Sequence, residues 1–177
     1  SNGAASSASW TYQYVFTTPG TYNYQCDPHA SLGMNGTITV NAVATPCTQP
    51  FFSEYIEGSS NNKGFEIYNP SGSALNLGGY QVILSGNGGS FTNNFNLSGM
   101  LPSDSVYVVT TDQADPTMLA EADTALSFPS VAHFNGDDAL ALLDTATGDT
   151  LDIIGVVGVD PGSSWSVGSG STQNHTL

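Results

Sequence analysis

Cys26, His29 and Met34 stand within nine residues, in the run 22–40 that reads YNYQCDPHASLGMNGTITV. A thiolate, an imidazole and a thioether this close together are three of the four donors of a trigonal copper site, in which two imidazoles and a thiolate are completed by a long, weak axial thioether. The second imidazole is the missing member. The only other histidines are His133 and His175, and both fall in what reads as a different domain. Taken singly, a buried thiol, a turn histidine and a core methionine are the ordinary fates of these residues. Three of them at this spacing argue for a site.

Three donors converge only if the chain brings them to one end of a sheet. Trp10, Tyr12, Tyr14 and Phe16 recur at every second position, which predicts a strand with four rings on one face. Thr18-Pro19-Gly20 follows as a turn. Tyr22, Tyr24 and Cys26 continue the alternation and place the thiol at the end of a second strand, which Asp27-Pro28 stops. Gly33 and Gly36 bracket Met34 in a loop, and Thr37 to Val40 form a third strand.

The stretch Pro19-Gly20-Thr21-Tyr22, Tyr24, Cys26, Pro28-His29, Gly33-Met34, Gly36, Ile38, Val40 resembles the C-terminal part of the plastocyanin-like cupredoxins, whose form is PGTYxYxCxPHxxxGMxGxIxV. The resemblance implies a Greek-key β-sandwich and one-electron transfer by copper with a redox protein partner. Cys26 would dominate the redox electronics, His29 would be an equatorial ligand, and Met34 the axial ligand that helps set the potential. In that family the other equatorial histidine comes from an upstream strand, and no histidine precedes His29. Residues 1–41 hold only about three strands. That is too few to close a sandwich, so their aromatic face is expected to pack on a neighbour or stay poorly ordered.

Residues 42–50 read as a junction, after which the composition changes. Phe51–Ile56, Phe65–Tyr68, Tyr80–Leu84, Phe91–Phe95 and Val106–Val109 look like strands, and Thr117–Asp123 like a helical turn or two. Ala139–Leu143 and Leu151–Ile154 should pair across a turn at Thr145 to Asp149. Many short strands separated by turn signals indicate an all-β sandwich. The segments SEYIEGSSNNKGFEIYNPSG, LNLGGYQV, FNGDDALALLD and DIIGVVGVDPGSSW resemble a lamin-tail domain of the secreted bacterial type, covering residues 51–177. That family implies an immunoglobulin-like sandwich and a non-catalytic binding or tethering module, with an unnamed protein or surface as partner. It usually runs a little past a Thr-Leu end, so the last strand is expected to be clipped.

Other chemistry is less well supported. Glu54, Glu57, Glu66, Asp137 and Asp138 lie near these motifs, but paired-carboxylate hydrolysis needs a cleft of fixed separation. Glu66 reads as a partner for Lys63 or an ordinary strand-surface residue. The Asn135–Asp138 loop and the Asp144–Asp149 turn offer oxygens to calcium without an EF-hand spacing, so turn-forming Asx residues are the plainer reading. There is no Gly-x-Ser-x-Gly elbow, and His133 has no evident nucleophile partner. The rival to copper is a structural or adhesion protein with an inert loop, stabilised by calcium in one version.

Composition bounds the rest. The 177 residues are 39% apolar, enough for a packed core. Fifteen Asp plus Glu face a single Lys63, for a net charge of -14, which argues against nucleic-acid binding. With only 9% charged residues, solubility rests on Ser, Thr, Asn, Gln and Gly, as in secreted, extracellular or periplasmic β-proteins. No stretch is apolar enough to span a bilayer. The start SNGAASSASW lacks signal-peptide features, so any export signal is expected upstream of a cut start. Cys47 is left open between a free thiol, a bond to Cys26 and a bond to a cysteine outside this sequence.

Overall fold

The computed structural model describes residues 13–42 and 47–177. The chain divides into two compact units, Ser1–Pro46 and Cys47–Leu177. The architecture is all-β, with one short α-helix among the described residues.

In the first unit, β1 (Gly20–Gln25) and β2 (Asn35–Val40) pair antiparallel from Gly20↔Val40 to Gln25↔Asn35. The connection is tighter than a plain loop. Asp27–Leu32 winds as a 3₁₀-helix with Pro28 in its first turn, where a missing N–H costs nothing. Gly33 ends it at φ +82°, a left-handed conformation that glycine adopts without strain. Gly36 lies opposite Tyr24, whose exposed ring packs over it where a Cβ would stand.

The expected strand over Trp10–Phe16 needs correction. Trp10 and Tyr12 lie outside the described residues, while residues 13–17 carry no strand. Alternation sets which way side chains point, but a strand also needs a ladder partner, and β1 pairs with β2 instead. The rings pack locally: Tyr14 meets Phe16 edge-on at 4.9 Å between centroids, and Phe16 meets Tyr22 at 4.6 Å.

The second unit is a two-sheet, immunoglobulin-like sandwich. Its strands are β3 (Phe51–Glu57), β4 (Lys63–Tyr68), β5 (Leu75–Asn76), β6 (Tyr80–Ser85), β7 (Asn93–Asn96), β8 (Met100–Leu101) and β9 (Val106–Thr111). After α1 (Pro116–Glu121) come β10 (Thr124–Leu126), β11 (Ala139–Asp144), β12 (Thr150–Ile154), β13 (Ser166–Val167), β14 (Gly170–Ser171) and β15 (His175–Thr176). One sheet runs β10-β9-β4-β3-β15 and the other β12-β11-β6-β7. Tyr55, Phe65, Ile67 and Val109 from the first sheet meet Val82, Leu84, Leu140 and Leu142 from the second in one buried cluster with Phe134. Each such side chain contributes about 1.5–3 kcal/mol by leaving water.

The expected β11–β12 hairpin forms, with a register shift at Leu142/Leu143. β7 begins at Asn93 rather than at Phe91, whose ring is exposed. β15 closes the edge of β3, and Leu177 exchanges backbone hydrogen bonds with Tyr55, both at 2.9 Å.

Asn69, in the expected turn after β4, is a buried junction. Its side-chain amide donates to the carbonyls of Ser73 (2.8 Å), Leu101 (3.0 Å) and Pro102 (3.0 Å), and its oxygen accepts from Ser71 N–H. Asn69→Ala strands several buried carbonyls at once and is expected to cost about 2–3 kcal/mol, read as a lower urea midpoint with an unchanged slope.

Candidate metal centre

The donor loop is framed by its own backbone. Cys26 N–H donates to Met34 O (2.9 Å), His29 N–H to Cys26 O (3.0 Å), Gly33 N–H to Ala30 O (3.1 Å) and Met34 N–H to His29 O (3.2 Å). Cys26 sits at the helix start in an extended conformation, one residue past β1, and Met34 immediately precedes β2. The two strands therefore fix both ends of the nine-residue loop.

Within this frame Cys26 Sγ and His29 Nδ1 are 3.3 Å apart. Sulfur and nitrogen donors bound tetrahedrally to one ion at about 2.3 and 2.0 Å would stand about 3.5 Å apart. The pair thus fits two donors to one small, soft ion. Cys26 is half-buried, His29 exposed, and Met34 is 56% exposed, leaving its flexible thioether accessible. A cysteine, a histidine and a methionine on one turn form a donor set suited to copper.

The other histidines are engaged in the second unit. His175 Nδ1 lies 2.5 Å from Gln173 O. His133 Nδ1 lies 2.8 Å from Ser130 Oγ, and its ring meets Phe128 edge-on at 5.3 Å. Its Nε2 is buried without a hydrogen-bond partner among the described residues. Burial pushes the His133 pKa down, Asp112 opposes that shift and Lys63 adds to it. The unfolded chain then binds the proton more readily than the folded one. Stability is full above the unfolded histidine value of about 6.5 and falls as pH drops toward the lower folded value. Melting temperature should decline between pH 7 and 5, and His133→Gln should flatten that part of the profile.

The carboxylates weighed for other chemistry hold turns and strands. Asp138 accepts from Asn87 N–H and Asn135 N–H, both at 2.8 Å. Asp144 Oδ1 accepts from Ala146 N–H at 2.8 Å. Glu66 takes Ser53 Oγ at 2.6 Å and lies opposite Glu54 in the β3–β4 ladder. Lys63 does not pair with Glu66, because β4 points alternate residues to opposite faces. It meets Glu57, its cross-strand neighbour, in a buried ion pair. Glu57 also accepts Asn174 N–H, tying the ion pair to the C-terminal strand. Nearby Tyr55 has its phenol pKa raised by burial and by the charges of Glu57, Asp138 and Asp137. Reading Lys63 three residues from Glu66 missed the pair across the hairpin. The signal was the Glu57–Lys63 spacing around the Gly58–Asn62 loop.

Among the described residues, no helix is long and apolar enough to cross a membrane.

Comparison with known proteins agrees with this division. Residues 43–158 match the family described as Lamin Tail Domain, and residues 2–41 match Copper binding proteins, plastocyanin/azurin family. Plastocyanin A/B of Petroselinum crispum is 52% identical over 31 residues, 18% of this chain and 32% of the relative. A plastocyanin of Scenedesmus fuscus is 57% identical over 30 residues, 17% of this chain and 31% of the relative. A chloroplastic plastocyanin of Oryza sativa subsp. indica is 52% identical over 31 residues, 18% of this chain and 20% of the relative. The chain thus spans 20 to 32% of the length of these relatives. With about two thirds of its length matched to one family, the chain belongs to the lamin tail domain family and carries ahead of that domain a segment similar to the plastocyanin/azurin family of copper binding proteins.

Proposed function

We propose that residues 1–41 contribute a copper-binding, electron-transfer segment to an exported, extracellular or periplasmic protein. A linker over 42–50 joins it to a non-catalytic binding or tethering module over 51–177. Copper, when bound, supplies the one-electron couple. Cys26, His29 and Met34 would hold it through thiolate, imidazole and thioether, and a redox protein would exchange the electron. The observation that supports this reading is the 3.3 Å approach of Cys26 Sγ to His29 Nδ1 inside a hydrogen-bonded loop that begins at Cys26 and ends at Met34.

No second histidine lies near this loop in sequence, so the second imidazole is proposed to come from outside residues 1–177. Added Cu(II) should give little thiolate-to-copper absorption with this chain alone. An upstream-extended protein, or this chain with free imidazole, should develop the intense visible band. Strong colour in the unaided chain would show that the donor set is already complete. No band under any of these conditions would remove the electron-transfer reading.

A further inference from the structure

The lamin tail unit has an open side where the free edges of its two sheets meet. β12 ends the order β12-β11-β6-β7, so one of its sides has no strand partner among the described residues. The register fixes which groups that side presents. Tyr80 O accepts Leu97 N–H and Leu84 O accepts Thr92 N–H, so β6 bonds to β7 through even-numbered residues and to β11 through odd-numbered ones. Ala141, opposite Ile83, therefore bonds to β6, and Ile153 on its other side turns its backbone N–H and C=O outward. On the first sheet β15 covers β3 only from Glu57 to Tyr55, and Phe52 lies beyond its end. Asp152 closes that end of the gap: its Oδ2 accepts Phe52 N–H at 2.8 Å and its Oδ1 accepts Ile153 N–H at 2.9 Å. Past this clasp the edges part around an apolar cleft of about 410 Å³, lined by Ile153, Val156, Trp165, Val167 and Leu177 among others. Trp165 is its fixed wall, with Nε1 donating to Asp138 O at 3.0 Å, while the other four are 41 to 50% exposed.

We infer that this cleft docks an extended segment of a partner protein in which apolar and basic side chains alternate, laid along the free side of β12. The inference rests on the reading of residues 51–177 as a binding module, and gives that module a site and a partner chemistry. A free strand edge supplies backbone bonds to an added strand, and the pocket beside it selects every second side chain. Apolar side chains of one row enter the cleft, and those of the other row face the surface around it. That surface belongs to a chain with fifteen Asp plus Glu and a single Lys63, which is itself buried in the ion pair with Glu57. No Lys or Arg side chain is left on it to meet an acidic partner, whereas a basic one is matched. A second copy of this chain would bring a further charge of -14 to the same edge and is disfavoured by like-charge repulsion.

The test is an NMR titration of the isotope-labelled full chain with two short capped peptides, one alternating valine with lysine and the other valine with glutamate. The lysine peptide should shift the Ile153, Val156 and Leu177 amides together, bind at least about 10-fold more tightly than the glutamate peptide, and weaken as salt rises. Val156→Lys, at an exposed position in the cleft, should weaken it about 10-fold. Met100→Lys, at an exposed position on β8 outside the cleft, adds the same charge and should change it by less than about 2-fold. Shifts elsewhere on the lamin tail unit, or equal binding of the two peptides, would overturn this inference and leave the module reading in place. Shifts of the same amides on raising the protein concentration alone would assign the cleft to a second copy instead. No shift with either peptide would overturn both.

Discussion

Replacing Lys63 by Met is expected to lower the thermal midpoint of the lamin tail unit by about 10–15 °C, from a loss of about 3–5 kcal/mol. Glu57 is 5% exposed and Lys63 8%, so the ammonium cannot be replaced by water when it is removed. The carboxylate would then stand uncompensated inside the sandwich, and that outcome is far costlier than the pair itself is worth. Glu57 also receives Asn174 N–H, which connects the pair to β15 at the edge of the same sheet. Lys63→Met with Glu57→Gln should therefore recover much of the loss. The neutral amide removes the buried charge and still accepts from Asn174. Thermal melts of the two single variants and the double variant measure the coupling. A single Lys63→Met variant within about 1 kcal/mol of the parent would mean that Glu57 reaches solvent after all.

Cys26→Ser is expected to abolish specific copper binding, with little change in the stability of the lamin tail unit. Serine keeps the size and the backbone frame of the loop but replaces the soft thiolate with a hard, neutral oxygen. The loop hydrogen bonds from Cys26 N–H and to Cys26 O are backbone bonds, so the substitution leaves them in place. Equilibrium dialysis against copper at a fixed ionic strength reads the loss, and a melt confirms that the fold persists. Retention of copper by Cys26→Ser at the parent's level would assign it to the acidic surface rather than to the loop.

Much of the candidate site is legible in the sequence alone, because its candidate donors are neighbours there. Cys26, His29 and Met34 lie inside one strand-loop-strand unit, and Gly33 marks where that loop turns back. Asp27-Pro28 stops β1 as expected and also opens the 3₁₀ winding of Asp27–Leu32, which the strand pattern alone does not reveal. In the lamin tail unit the long alternating or apolar strands were readable, among them β3, β4, β6, β9 and β11. The short strands β13, β14 and β15 were not, since two residues carry no periodicity and are placed by tertiary pairing.

The same limit explains the two errors of contact. Of the two readings of Glu66, a partner for Lys63 or an ordinary strand-surface residue, the first fails because the β3–β4 register places Lys63 opposite Glu57. Alternation predicts a strand through Tyr14 and Phe16, whereas a ladder depends on a partner that local sequence does not specify, and these two residues carry no strand. Asn69 illustrates the converse. Its turn was readable from Asn-Pro-Ser-Gly, but its burial and its ties to Leu101 and Pro102 depend on residues some thirty positions away.

Whether the loop's own sulfur and nitrogen atoms hold copper is tested most directly by X-ray absorption at the copper edge of the chain loaded with one equivalent of Cu(I). The predicted first shell contains two sulfur scatterers, from Cys26 and Met34, and one imidazole nitrogen from His29, with one sulfur lost in Met34→Leu. A shell of nitrogen and oxygen alone, unchanged in Cys26→Ser, would contradict it.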